Sequence, residues 1–183
     1  MRGGNIPRPV VFRCHFDLKA RSGVSNTEHS ASCKHAKKTP QGYKVAFQAR
    51  TSIGLILEMI PESESLDQWT EMLTVQIMRN TNGHTLSSFY SGMKELWAAM
   101  CPCGSTEIVE RGSEQLHPTL FWAHACPLNK NTGQPENTWF KLAIRGGNLI
   151  VVQKAFKFEP SSEAVALWLA FLRELRVNQR LET

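Results

Sequence analysis

The 183-residue sequence contains no apolar run of about 18 residues, the length a membrane-crossing helix requires. Its opening thirty residues also lack the apolar core of an export signal, because residues 6–12 are too short and are broken by Pro7, Arg8 and Pro9. Cys14 follows Val-Phe-Arg, which does not read as a lipoprotein cleavage site. Read alone, the sequence predicts a soluble chain without a leader, and leaves a cytoplasmic location open. Glycine-rich phosphate loops are missing, since neither Gly133 nor Gly146-Gly147 leads into a helix. Metal spacing is missing too. Cys101-Pro-Cys103 has one intervening residue where a zinc or thioredoxin motif needs two or more. Cys14-His15 and Cys33-Lys-His35 fall in a stretch with no apolar pattern around them. Asp17, Glu58, Glu62, Glu64 and Asp67 supply carboxylates, but those near the 61–67 loop read as solvated loop charges, and no paired acid and base stands out. The expectation is no metal, no small-molecule cofactor and no catalytic residue set.

What is present is the composition of one globular domain, 42% apolar and 20% charged. The net charge of +5 is unevenly placed. Residues 1–40 hold eight basic against two acidic groups, a net +6, so the remainder, thirteen against fourteen, carries −1. That leading segment is small, polar and aperiodic, and is expected to be disordered, with a single domain spanning 41–183. A basic arm of this kind can also hold nucleic acid or an anionic membrane through phosphate contacts.

Beyond residue 40 the periodicity sharpens. Tyr43, Val45 and Phe47 alternate with polar neighbours, and Ile53–Ile60 is nearly continuous aliphatic sequence, predicting two strands joined around Ala49–Ser52. Trp69–Met78 alternates as a third strand, with Leu66–Thr70 open to a helical turn. Leu86, Phe89, Tyr90, Met93, Leu96, Trp97 and Met100 follow helical spacing, and Pro102 and Gly104 end that helix. Short strands at Glu107–Glu110 and Thr119–Ala125 precede an expected long polar loop, Leu128–Asn137. The clearest local signal follows. Two apolar runs flank Gly146-Gly147, the pair a two-residue hairpin turn prefers. Pro160-Ser161-Ser162 then caps a last helix striped by Val165, Trp168, Leu169, Leu172 and Leu175, with Arg173 and Arg176 in its final turn. Consecutive strands interrupted by two amphipathic helices predict an α+β fold, an antiparallel sheet of about six to seven strands covered by two main helices.

Among the cysteines a disulfide is favoured over a metal site. Cys101 closes a helix, Cys126 closes a strand, and both precede proline. Their bridge would close a loop of about 25 residues, contribute about 3 kcal/mol, and leave Cys103 as the odd thiol. It requires an oxidising compartment, in tension with the missing leader. A third arrangement, His124 beside Cys126 or Cys103, has the residue types of a nucleophile and base but no orienting group. The candidate binding surface comprises Trp69 and Glu71 beside the acidic 61–67 stretch, with Asn129, Lys130, Asn131 and Gln134 of the polar loop.

Four segments carry a resemblance: Trp69–Gln76 (WTEMLTVQ), Ala99–Pro102 (AMCP), Cys126–Glu136 (CPLNKNTGQPE) and Val151–Phe156 (VVQKAF). Together they resemble a family of uncharacterised bacterial proteins, many with export or lipoprotein signals, over residues 42–178. The element order is similar to the PsbP-like α/β/α sandwich of photosystem II extrinsic proteins and envelope lipoproteins. The resemblance implies pairing of Cys101 with Cys126 and work in the periplasm or cell envelope. It implies a non-enzymatic binding or assembly role with a protein partner there. The alternative is a nucleic-acid-associated protein using the basic arm.

Overall fold

The computed structural model describes residues 40–79, 81 and 83–175. The expectations for residues 1–39, for Cys14 and Cys33, and for Arg176 lie outside them. Nine elements follow in chain order: β1 (Tyr43–Thr51), β2 (Gly54–Pro61), β3 (Glu71–Met78), α1 (Leu86–Met100), β4 (Ser105–Glu114), β5 (His117–Asn129), β6 (Gln134–Arg145), β7 (Asn148–Phe156) and α2 (Ser162–Glu174). All seven strands form one antiparallel sheet in the order β1-β2-β3-β7-β6-β5-β4. Helix α1 is the long crossover. It carries the chain from β3 to the far edge, and the β4–β7 meander returns to pair β7 with β3.

Strand alternation sends neighbouring residues to opposite faces, and both faces are covered. On one, Leu120, Trp122, Phe140, Leu142, Leu149 and Val151 pack under Trp97 of α1. Trp122 and Phe140 stack there at 4.6 Å. On the other, Met59, Leu73, Phe121 and Val152 pack under Leu172 of α2. Leu120-Phe121-Trp122 therefore reads as an unbroken apolar run because its members serve two cores. This is an α+β fold arranged as helix, sheet, helix.

Local chemistry sets the ends. Thr85 and Ser88 form a reciprocal capping box at α1, and Ser161 accepts from the Ala164 N–H at α2. Gly146 and Gly147 take φ of 55° and 75°, as a two-residue hairpin between Arg145 and Asn148 demands. Both edge strands carry a register shift, β1 between Val45 and Phe47 and β4 between Ile108 and Glu110. Such bulges, with Lys44, Glu107 and Arg111 nearby, blunt edges that would otherwise template further pairing.

Several boundaries differ from those expected. The first hairpin turns at Ser52-Ile53, since Thr51 pairs with Gly54. Residues 66–70 form turns and bends instead of a helix. The long polar loop is absent: β5 runs through Asn129 and β6 starts at Gln134, leaving only 130–133 as a turn. This hairpin projects beyond the end of β7, so Lys130, Asn131 and Gln134 meet water while its backbone stays paired. A register shift between Cys126 and Asn129 accommodates Pro127. Strand β4 likewise extends past the short run expected, ending in a turn at Gln115-Leu116.

Candidate functional site

The start of β3, the end of β7, the β5–β6 turn and the end of α1 converge at one end of the sheet. Register fixes this, because Glu71 and Asn137 both pair with Phe156. Segment 61–70 closes against the residues after β7 through the Lys157 N–H, which donates to Thr70 O at 2.8 Å. Lys157 Nζ lies 3.9 Å from the centre of the half-buried Trp69 ring. The Thr70 hydroxyl and N–H both donate to the Glu64 carboxylate. Burial works to raise the Glu64 carboxyl. The Thr70 bonds, a Glu71 backbone bond and the Lys154 charge outweigh it and hold the group below its ordinary value.

Behind this rim lies a cluster the sequence reading did not single out. Lys154 is fully buried (0%), with Nζ donating to Tyr43 Oη and Glu71 Oε2, each at 2.6 Å. Three rings enclose the ammonium, with centroids at 4.1 Å (Trp168), 4.5 Å (Phe156) and 4.8 Å (Tyr43). Burial lowers the Lys154 amine to about 8 against the opposing pull of Glu71 and Glu64. Tyr43 is pushed up, by burial first and then by its bond to Glu71 and that charge. The signal was present in Val152-Gln-Lys154-Ala-Phe156, whose alternation places Lys154 on the α2 face between two core residues.

The six candidate surface residues divide. Trp69 is engaged by Lys157, and Glu71 by Lys154 and Tyr43. Asn129 is buried (3%); its Nδ2 donates to Glu136 Oε2 at 2.7 Å and its Oδ1 accepts from the Asn131 N–H at 2.9 Å, so it braces the turn. The Lys130 N–H donates to Met100 O at 3.2 Å, tying that turn to the end of α1. Lys130, Asn131 and Gln134 themselves are exposed. Between the two groups, Asn137 Nδ2 donates to Phe158 O at 2.8 Å. Leu66, Leu128 and Phe158 are large apolar side chains exposed around the same end.

Cys101 and Cys126 are bonded to each other, Cα to Cα 5.9 Å, pinning the C-cap of α1 to β5. Cys103 is free and exposed. Cys126 is therefore no nucleophile. His124 is sealed (2% exposed), its ring 4.2 Å from that of Trp97 and its Nδ1 2.7 Å from Thr106 Oγ1. Burial lowers its pKa to about 4, well under the ordinary 6.5. In that interval the unfolded chain takes up a proton that the folded chain refuses, so stability falls as pH drops from 6.5 towards 4. Urea midpoints should fall over that range, and a His124→Gln variant should show a shallower loss. Equal slopes in the two proteins would contradict this account of the ring.

No family model matches the sequence, and no curated protein matches it. Among solved structures the fold is similar to that of the Saccharomyces cerevisiae Ran-binding protein Mog1p, at 13% identity over 73% of this chain and 75% of that one, with a TM-score of 0.43. It is similar also to cyanobacterial PsbP from Synechocystis, at 11% identity over 73% of this chain and 78% of that one, with a TM-score of 0.43. At such identities the likeness describes strands and helices and says nothing of what this chain binds.

Proposed function

We propose that this chain is a non-enzymatic binding or accessory protein of the bacterial cell envelope, and that the end of the sheet bearing Trp69 receives a protein partner. One observation carries the reading. Leu66, Trp69, Leu128 and Phe158 lie at the same end of the sheet, the segments of Trp69 and Phe158 tied by the Lys157 N–H bond to Thr70 O, with Lys130, Asn131 and Gln134 exposed on the β5–β6 turn next to Leu128. Apolar anchors ringed by polar groups on a rigid frame are the composition of a protein-docking patch. Three groups able to do chemistry are committed elsewhere: Cys126 in the cystine, His124 under Trp97, and Lys154 among its rings; the free thiol of Cys103 is left without that histidine, which is sealed under Trp97. The buried Cys101–Cys126 cystine suits an oxidising compartment and supports the envelope assignment.

Site-specific photocrosslinking in the native host tests this directly. A photoreactive phenylalanine analogue at Leu128 should give a discrete protein adduct, and one at the similarly exposed Leu167 on α2 should not. Trp69→Ala with Phe158→Ala should reduce the adduct at least about tenfold, the loss expected for a central anchor. Adducts of equal yield from the two positions, or one unchanged by the double substitution, would sink the assignment.

A further inference from the structure

The opposite end of the sheet, unused by the proposed partner site, has its own chemistry. The β4–β5 turn is made by Gln115 and Leu116, with φ of 49° and 67°. Neither is glycine or asparagine, so the backbone is held in a region L-residues disfavour. Leu116 is 99% exposed, so this strained turn recovers nothing by packing. The β1–β2 turn presents a second aliphatic tip, Ile53, 70% exposed. Strand order puts the two tips near opposite corners, about five strand spacings or roughly 24 Å apart.

The line between the corners is continuous and basic. The Arg79 N–H donates to Ile53 O at 2.9 Å, and the Thr81 N–H to Gly147 O at 3.0 Å, joining the first tip to the Gly146-Gly147 turn. Arg50 precedes the first tip, Arg79 follows β3, and Arg111 lies on β4 above the second. None of the three has an acidic partner among the described residues. The acid within this line, Glu114, is bound to Lys141 at 2.8 Å and Arg145 at 3.3 Å. Glu110, next to Arg111 in the chain, is bound to Arg173 at 2.9 Å, and Glu174 ends α2.

We propose that this end docks on an anionic lipid surface, with Ile53 and Leu116 entering the headgroup layer and Arg50, Arg79 and Arg111 meeting lipid phosphates. Aliphatic tips flanked by cations match the two attractions such a surface offers, buried apolar area and negative potential. A single strand of nucleic acid would share the charge requirement but calls for rings to stack on bases, and a duplex offers phosphates but no apolar layer for aliphatic tips to enter. The tips also explain the strain, since a leucine kept at positive φ in open water has no structural use.

The test is sedimentation of the full-length protein with phosphatidylcholine vesicles, with and without phosphatidylglycerol. Binding should need phosphatidylglycerol and weaken as salt rises. Ile53→Ser and Leu116→Asn should each lower the partition constant about tenfold, the effect of withdrawing a partly buried aliphatic chain. Leu116→Asn suits the left-handed turn, so its melting temperature should hold or rise while binding falls. Leu167→Ser, altering an exposed leucine on α2, should leave binding unchanged. The basic residues 1–40 can hold anionic vesicles by charge alone, so the tip variants decide. Vesicle binding unaltered in the Ile53→Ser/Leu116→Asn double variant overturns the proposal. So does failure of the unaltered protein to bind, or retention on DNA or RNA in place of vesicles.

Discussion

Replacing both Cys101 and Cys126 by serine should lower the unfolding free energy by about 3 kcal/mol and the melting temperature by roughly 10 °C, as followed by circular dichroism. The sequence separation is 25, so the bridge removes substantial loop-closure freedom from the unfolded chain. Its place in the fold localises the effect. Cys101 caps α1, its N–H donating to Trp97 O, while Met100 O accepts from Lys130 of the β5–β6 turn. Without the bond, the end of α1 and the 130–133 turn should loosen first, and amide exchange there should accelerate ahead of β7. Both cysteines must be changed, because Cys103 stands two residues from Cys101 and in a single variant could pair with Cys126. A double variant melting within a degree or two of the parent would remove the cystine as a main support of this domain. Reductant alone is a weaker probe, since both sulfurs belong to fully buried residues.

Much of this architecture was legible because period and turn chemistry agreed with the final fold. Gly146-Gly147 marked its hairpin, the 86–100 stripe its helix, and Ser161 its cap. What escaped notice had the opposite property. Gln115-Leu116 is a tight turn without glycine or asparagine, so no residue announces it, and the apolar pattern stops at Glu110, four residues before β4 ends. Residues 130–136 are polar because their hairpin overhangs the end of β7, a placement that strand order decides and local composition does not. The candidate surface was only half visible. Trp69 and the 129–134 residues lie in different parts of the chain, and they share an end only because β7 inserts between β3 and β6. Lys154 was hidden for another reason. A lysine in an apolar strand reads as solvent-facing until its acid and its rings, drawn from β1, β3 and α2, are known.

That lysine gives the second large effect. Lys154→Ala should cost about 3–5 kcal/mol, because it empties a ring-lined space and strips Glu71 and Tyr43 of their common partner. Lys154→Met should cost much less, since an unbranched apolar chain fills the same space and Glu71, 28% exposed, can return to water. Stability against pH separates charge from shape. The amine titrates at about 8 in the fold against 10.5 ordinarily, so between those values the unfolded chain holds a proton the folded chain has released. Stability should therefore rise with pH from about 8, with a slope of at most about 1.4 kcal/mol per pH unit. Tyr43 acts in the other sense. Its pKa is raised, so above its ordinary 10.0 the unfolded phenol ionises while the folded one keeps its proton, and stability is lost again. The parent should thus show a maximum in urea midpoint near pH 10. Lys154→Met should lose the rising limb and keep the falling one, and Tyr43→Phe should lose the fall. Measurements in a Cys103→Ser background keep thiol exchange out of the alkaline range. A Lys154→Met protein that follows the parent across the whole range would show that the amine keeps its ordinary pKa in the fold, as a hydrated ammonium does, and the ring-enclosed ion pair would then have no part in holding α2 to the sheet.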